Sequence, residues 1–237
     1  MHYSFMHGDG PIGPSARRRD TPMLISLRKK FIFVANLKTA STAIEKQLRS
    51  VCEVAILQTR FGKHHGLDEI EKRFSWVFDY VRRDEMFVFG VIRDLVDFLV
   101  SLYNFHKKEA FLGQPSYTGG ISFEQFMSDW TRRNSWQCRP QSERFRNKEG
   151  VFDLDYLIDY AKLDEQLAQV CRILKVRQAV LTRENVSPPD FSRDQVPEEM
   201  AARIRSMYPA DMEYLTTATG RVLRERPAAV AARVAAE

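Results

Sequence analysis

The chain has few of the side chains from which metal and disulfide sites are built. It carries only three cysteines, Cys52, Cys138 and Cys171, an odd count with no closely spaced pair. That excludes a C-x-x-C redox or zinc motif and a disulfide framework. Cys52 and Cys171 fall on apolar faces of predicted helices, so they read as small buried hydrophobes in a reducing compartment, and the expected location is the cytoplasm. Histidine is scarce as well, limited to His2, His7, His64, His65 and His106. No apolar run approaches the ~18 residues of a membrane span, so no integral membrane association is expected. The first 22 residues hold Gly8, Gly10, Pro11, Gly13, Pro14 and Arg17 to Arg19 but no apolar stretch of a signal peptide. They are read as a flexible arm.

What is present is the material of a sizeable core. Hydrophobic residues make up 44% and aromatics 11% of 237 residues, which excludes a wholly disordered chain and fits one α/β domain. Lys plus Arg is 36 against 31 Asp plus Glu, a net charge of +5. This suits an anionic ligand but equally a merely basic surface, and no nucleic-acid partner is assigned.

Structure is expected to begin near Met23. Phe31 to Asn36 is a short β-rich run, and Ile44, Leu48, Val51 and Cys52 then recur at helical spacing. Leu67, Ile70, Phe74, Val77 and Val81 mark a second helix. Met86 to Ile92 is a continuous apolar strand of the kind parallel sheets bury on both faces. Val96, Leu99, Val100 and Tyr103 share one face of the helix that follows. Residues 110–120 read as a loop, and Phe123, Phe126, Met127 and Trp130 as a short amphipathic helix. A polar, basic stretch, Arg132 to Lys148, comes next. Asp155 to Tyr160 reads as a third strand, Leu163 to Leu174 as a helix, Gln178 to Leu181 as a short strand, and Val196 to Tyr208 as a closing helix. Strands alternating with helices predict an α/β fold, a three-layer sandwich with a central, mainly parallel sheet flanked by helices. Residues 1–22 form the arm, 23–215 the domain and 216–237 a low-complexity tail.

Two places carry chemistry. The turn Leu37-Lys38-Thr39-Ala40-Ser41-Thr42 joins a buried strand to a helix N-terminus, where backbone N–H groups and the positive dipole end suit a phosphate. Lys38 adds a full charge, and Thr39, Ser41 and Thr42 add hydroxyls. An ordinary turn with a Ser or Thr cap has the same sequence. The nucleotide-kinase pattern G-x-x-x-x-G-K-[ST] is absent, and no glycine stands in the turn. The second place is Arg93, which ends the second strand. Ligands of open parallel sheets bind outside the carboxyl ends of strands, so Arg93 is expected near Lys38. Ser101 lies eight residues on, about two helical turns into the next helix. An Arg fork and a Ser hydroxyl together can hold a second phosphate; pairing of Arg93 with Asp94 or Asp97 is the alternative.

The run Phe31 to Glu45, FIFVANLKTASTAIE, resembles the 5′-phosphosulfate loop of sulfotransferases that use 3′-phosphoadenosine 5′-phosphosulfate (PAPS). The run Phe87 to Tyr103, FVFGVIRDLVDFLVSLY, resembles their 3′-phosphate segment. The likeness is to the bacterial and carbohydrate-type members, with K-T-A-x-T. Lys63-His64 followed by Glu69-Ile70, Asp155 to Leu163, Asn185-Val186-Ser187, and Tyr208, Asp211 and Tyr214 are similar to later family segments, so the resemblance spans roughly residues 23 to 215. Three positions depart from the pattern. Ala43 stands where many members have a hydroxyl, Leu95 replaces the usual Pro after the Arg, and Ala161 stands where a Glu is expected.

The resemblance implies a P-loop-like fold, PAPS as co-substrate and no metal. It implies that Lys38, Thr39, Ala40, Ser41 and Thr42 hold the 5′ end, and that Arg93 and Ser101 hold the 3′-phosphate. The acceptor is a hydroxyl, on a saccharide in the carbohydrate-type members, and the basic stretch Arg132 to Lys148 could face one. Removal of the acceptor proton needs a base, and histidine titrates in the right range. His64 matches the family position and His65 is the alternative. His106 reads as a solvated residue at a helix C-terminus. A nucleotide-dependent kinase and a non-catalytic binder of nucleotide or anionic glycan are the competing readings.

Overall fold

The computed structural model describes residues 23–56, 65–177 and 190–224. The expected arm, His64, the short strand Gln178 to Leu181 and Asn185-Val186-Ser187 lie outside the described residues.

The centre of the molecule is a five-stranded sheet of order β3-β1-β2-β4-β5. Its strands are β1 (Met23–Ser26), β2 (Phe31–Val34), β3 (Val54–Ile56), β4 (Phe87–Ile92) and β5 (Tyr156–Asp159). β2, β4 and β5 are mutually parallel, with Phe33 opposite Phe89 and Phe89 opposite Tyr156. β1 runs antiparallel to both β2 and β3. Neither β1 nor β3 is expected from the sequence pattern. Runs of three or four residues carry too little periodicity to stand out from the turns around them.

Strand side chains alternate between two covered faces. Phe31, Phe33, Phe89 and Ile158 pack on one side against α1 (Ser41–Leu48) and α6 (Leu163–Leu174). Ile32, Val34, Val88 and Leu157 pack on the other against α2 (Leu67–Arg73) and the Phe145 ring. Burial on both faces explains why the strands read as unbroken apolar runs. A third cluster joins α3 (Leu95–His106) to α4 (Phe123–Gln125), to the π-helical turn Phe126–Trp130 that leads into α5 (Thr131–Arg133), and to α7 (Glu198–Met207).

Three boundaries differ from expectation. The helix predicted through Val81 ends at Arg73, and Ser75–Asp79 forms a 3₁₀ turn. Aromatic and β-branched residues in that stretch favour helix weakly. The predicted closing helix forms as α7 but is not the last, because Pro209 begins a further helix, α8 (Pro209–Thr217), at a position where a missing N–H costs nothing. The expected tail also starts later than residue 216. Gly220 N–H donates to Leu157 O at 2.9 Å and Leu223 N–H to Asp155 O at 2.8 Å, so residues up to Leu223 pair with the β5 edge.

Gly90 in mid-β4 has a steric reason. A Cβ there would meet Phe145 Cζ at 2.9 Å and overlap Cε1, and Phe145 is fully buried. Gly90→Ala is therefore expected to destabilise the fold by about 1–3 kcal/mol through overpacking. Urea unfolding measures it, and a change below ~0.5 kcal/mol would show that the ring has room to shift.

Candidate anion-binding site

The parallel strands β2 and β4 end side by side, and each hands its next residues to a turn. After β2 the chain is strained: Lys38 and Ala40 have φ of 58° and 56°, the left-handed region that non-glycine residues avoid. Such geometry persists where neighbours over-determine it. Here Asn36 does so. Its carbonyl accepts from Thr39 Oγ1 at 3.0 Å and Ser41 Oγ at 3.3 Å, and its Oδ1 accepts from Leu37 N–H at 3.0 Å. Thr39 and Ser41 are buried and donate their hydroxyl protons inward, not toward a ligand as the sequence led us to expect. Thr42 is half-buried in the first turn of α1. The simple Ser/Thr cap is not what forms either. Ala40 is the N-cap, and its carbonyl accepts from Ala43 and Ile44 N–H at 2.9 and 3.1 Å.

Arg93 reaches this turn. Its Nη1 donates to Lys38 O at 3.1 Å, and its guanidinium lies 4.3 Å from the Tyr160 ring centre. Its Nε is buried and has no hydrogen-bond partner among the described residues. Asp94 and Asp97 do not pair with it. They bind Arg193 Nη1 at 2.5 and 3.1 Å, while Asp94 also caps α3 by accepting from Val96 and Asp97 N–H. The alternative reading of Arg93 as a strand-end ion pair is thereby removed. Ser101 is half-buried on α3, and Arg93 makes no hydrogen bond to it. The fold thus brings Lys38 and Arg93 into one site directly, and Ser101 only by its place on the adjoining helix.

The site gathers several cations that no direct ion pair among the described residues neutralises. Lys38 Nζ sits 4.0 Å from the Phe105 ring centre, and Lys108 Nζ lies 5.3 Å from the same centre. Lys107 covers Tyr103 at 4.4 Å. Among the described residues no carboxylate forms an ion pair with Lys38, Lys107, Lys108 or Arg93. Burial, followed by the charges of Lys108 and Arg93, lowers the Lys38 pKa to about 7. Burial also lowers that of Arg93, opposed by Tyr160, Asp97 and Asp94. A desolvated ammonium facing two further cations is stabilised by a bound anion and by little else.

No sequence signal marks Lys108 or Phe105. A lysine past a helix C-terminus is ordinary, and only tertiary packing turns it toward Lys38. His106 was misread. It is buried, not solvated, with Nε2 3.0 Å from Gln137 Oε1, Nδ1 without a partner among the described residues and its ring 4.9 Å from Trp130. Burial lowers its pKa. His65 is buried just before α2, with Nδ1 3.0 Å from Glu69 Oε2 and its ring edge-on to Phe74. Members of the basic stretch are engaged with their own neighbours: Arg132 pairs with Asp129, Arg146 donates to Gly150 O, and burial lowers the Arg144 pKa to about 10.

Burial raises the Cys52 and Cys138 thiols to about 12 and Cys171 to about 11, consistent with small apolar fillers. A surface depression of about 310 Å³ lined by Met127, Thr131, Cys138, Met207 and Tyr208 shares no residue with the cation cluster. Among the described residues no helix is long and apolar enough to cross a membrane, and no group of His, Cys, Asp or Glu is arranged to hold a metal ion. No protein-family model, curated protein or solved structure matches the chain.

Proposed function

We propose that the protein is a sulfotransferase that moves the sulfuryl group of PAPS to an acceptor hydroxyl, on a saccharide. The observation that carries the reading is the contact of Arg93 Nη1 with Lys38 O, which joins two motifs 55 residues apart at one sheet edge. The cations around it supply the fit: Lys38 and Lys108 over one ring, and an Arg93 Nε with no acceptor among the described residues.

In this reading the chain mainly positions and stabilises charge. Lys38 lies at the 5′ end and stabilises the charge that grows on the leaving phosphate oxygen. Arg93, with Ser101 on α3, holds the 3′-phosphate. A base takes the acceptor proton while the acceptor oxygen bonds to sulfur and the bond from sulfur to the 5′-phosphate oxygen breaks. His64 is the proposed base. His65 has its Nδ1 beside Glu69 within the core, which favours its neighbour for contact with an acceptor. A second reading, a non-catalytic anion binder, draws support from Thr39 and Ser41 pointing inward and from Ala43.

Adenosine 3′,5′-bisphosphate is expected to bind more tightly than AMP by about one to two decades. The 3′-phosphate adds a charge-assisted hydrogen bond to Arg93, worth ~1.5–3 kcal/mol. Calorimetric titration and thermal shift with adenosine 3′,5′-bisphosphate, AMP and ATP test it, and equal affinities for the first two would sink the role of Arg93. Incubation with labelled PAPS and a pool of saccharides, lipids and small alcohols, with products identified by mass, decides between transferase and binder.

A further inference from the structure

We infer that Gln141, seated on the carboxylate of Asp211, is the positioning residue that fixes Arg93 against the Lys38 turn. The parallel ladder between β2 and β4 ends at the Val34–Gly90 pair. Beyond it β2 and β4 no longer pair with each other, although β4 stays paired with β5 through Ile92, and both cations stand past that point. Gln141 fills that gap. Its Oε1 accepts from Arg93 N–H at 3.0 Å and its Nε2 donates to Arg93 O at 2.8 Å, so the side chain pairs with the Arg93 backbone as a neighbouring strand would. The Gln141 carbonyl accepts from Asn36 Nδ2 at 3.3 Å, which ties the same residue to the other strand end.

Gln141 is itself held. Its N–H donates to Asp211 Oδ2 at 2.6 Å, and the next N–H, of Ser142, donates to Asp211 Oδ1 at 2.8 Å. Asn36, Gln141 and Asp211 are each 1% exposed, so these bonds are not shared with bulk water. Phe145 completes the seat from the same 3₁₀ turn (Gln141–Phe145) by packing against Gly90. Filling space alone asks only for volume. Paired donation and acceptance on one backbone residue asks for an amide. A carboxylate would set an acceptor against Arg93 O, and an apolar chain of equal length would release Arg93 altogether.

The test uses the full chain with Gln141→Met, which keeps the volume and removes both bonds. One readout is the titration of Lys38, followed by the pH dependence of its reductive methylation and peptide mass mapping. The other is the ratio of dissociation constants for adenosine 3′,5′-bisphosphate and AMP. The expected result is a folded protein whose Lys38 midpoint moves up by about one pH unit as water enters and Arg93 departs. Preference for the bisphosphate should fall about tenfold, since Arg93 is no longer aimed. Asp211→Asn keeps the shape and loses one bond; it is expected to move both readouts in the same direction by less, and it serves as the measurement if Gln141→Met does not fold. A wild-type Lys38 midpoint and an unchanged nucleotide ratio in a folded variant would overturn the inference. The nucleotide ratio rests on the sulfotransferase reading; the Lys38 titration does not. If the wild-type protein shows no preference for the bisphosphate, that reading fails while the Lys38 shift still decides the role of Gln141.

Discussion

Lys38→Ala is expected to lower kcat for sulfuryl transfer on the order of a hundredfold or more, with a smaller rise in the nucleotide dissociation constant. Charge on the leaving phosphate oxygen grows only in the transition state, so a cation placed there contributes more to turnover than to binding. The environment of Lys38 adds a pH signature. Burial, Lys108 and Arg93 bring its pKa in the free protein to about 7, and a bound anion restores the charged form. Above that pH, binding must take up a proton. Affinity for adenosine 3′,5′-bisphosphate should then fall by up to about tenfold per pH unit as the pH rises past about 7, and Lys38→Ala should flatten that slope. Stability of the free protein moves the other way. The folded chain binds fewer protons at Lys38 than the unfolded chain between about 7 and the ordinary lysine value of 10.5, so unliganded stability should rise with pH across that window. An unchanged kcat with a purely raised KM would show that Lys38 only binds.

The loss of the base is expected to have a still larger effect. His64→Ala should leave nucleotide binding nearly intact and reduce transfer by ~10²–10⁴, the usual contribution of a positioned general base. The pH–rate profile should lose its acidic limb, because in the wild type that limb reports protonation of the imidazole. His65→Ala is the paired control. His65 fills a buried position against Phe74 and beside Glu69, so its removal should show first as lower stability in urea unfolding. If His65→Ala is stable and inactive while His64→Ala turns over, the two neighbours exchange roles. If neither slows transfer by more than a few-fold, the base lies elsewhere, and Asp68 and Glu69 at the start of α2 are next in line.

The sequence by itself determined the covalent and periodic parts of this protein. Phe31 to Val34 and Phe87 to Ile92 are apolar at every position, which only a strand buried on both faces requires, and they are parallel neighbours. Lys38 comes four residues after the first strand ends and Arg93 follows the second at once, so a parallel pairing had to bring them to one edge. Tertiary structure alone decided which groups face each other there. Thr39 and Ser41 were read as outward donors because a hydroxyl's direction is not written in its spacing; Asn36 O captures both. Lys108 and Phe105 join the site because α3 returns its far end toward the Lys38 turn, and His106 enters the core for the same reason. Gln141 and Asp211 lie 48 and 70 residues from the partners they hold, and no local pattern marks a single buried amide or carboxylate as a bridge. Local patterns report which side of an element meets the core, whereas the pairing of polar groups across a site depends on distances that exist only once the elements have packed.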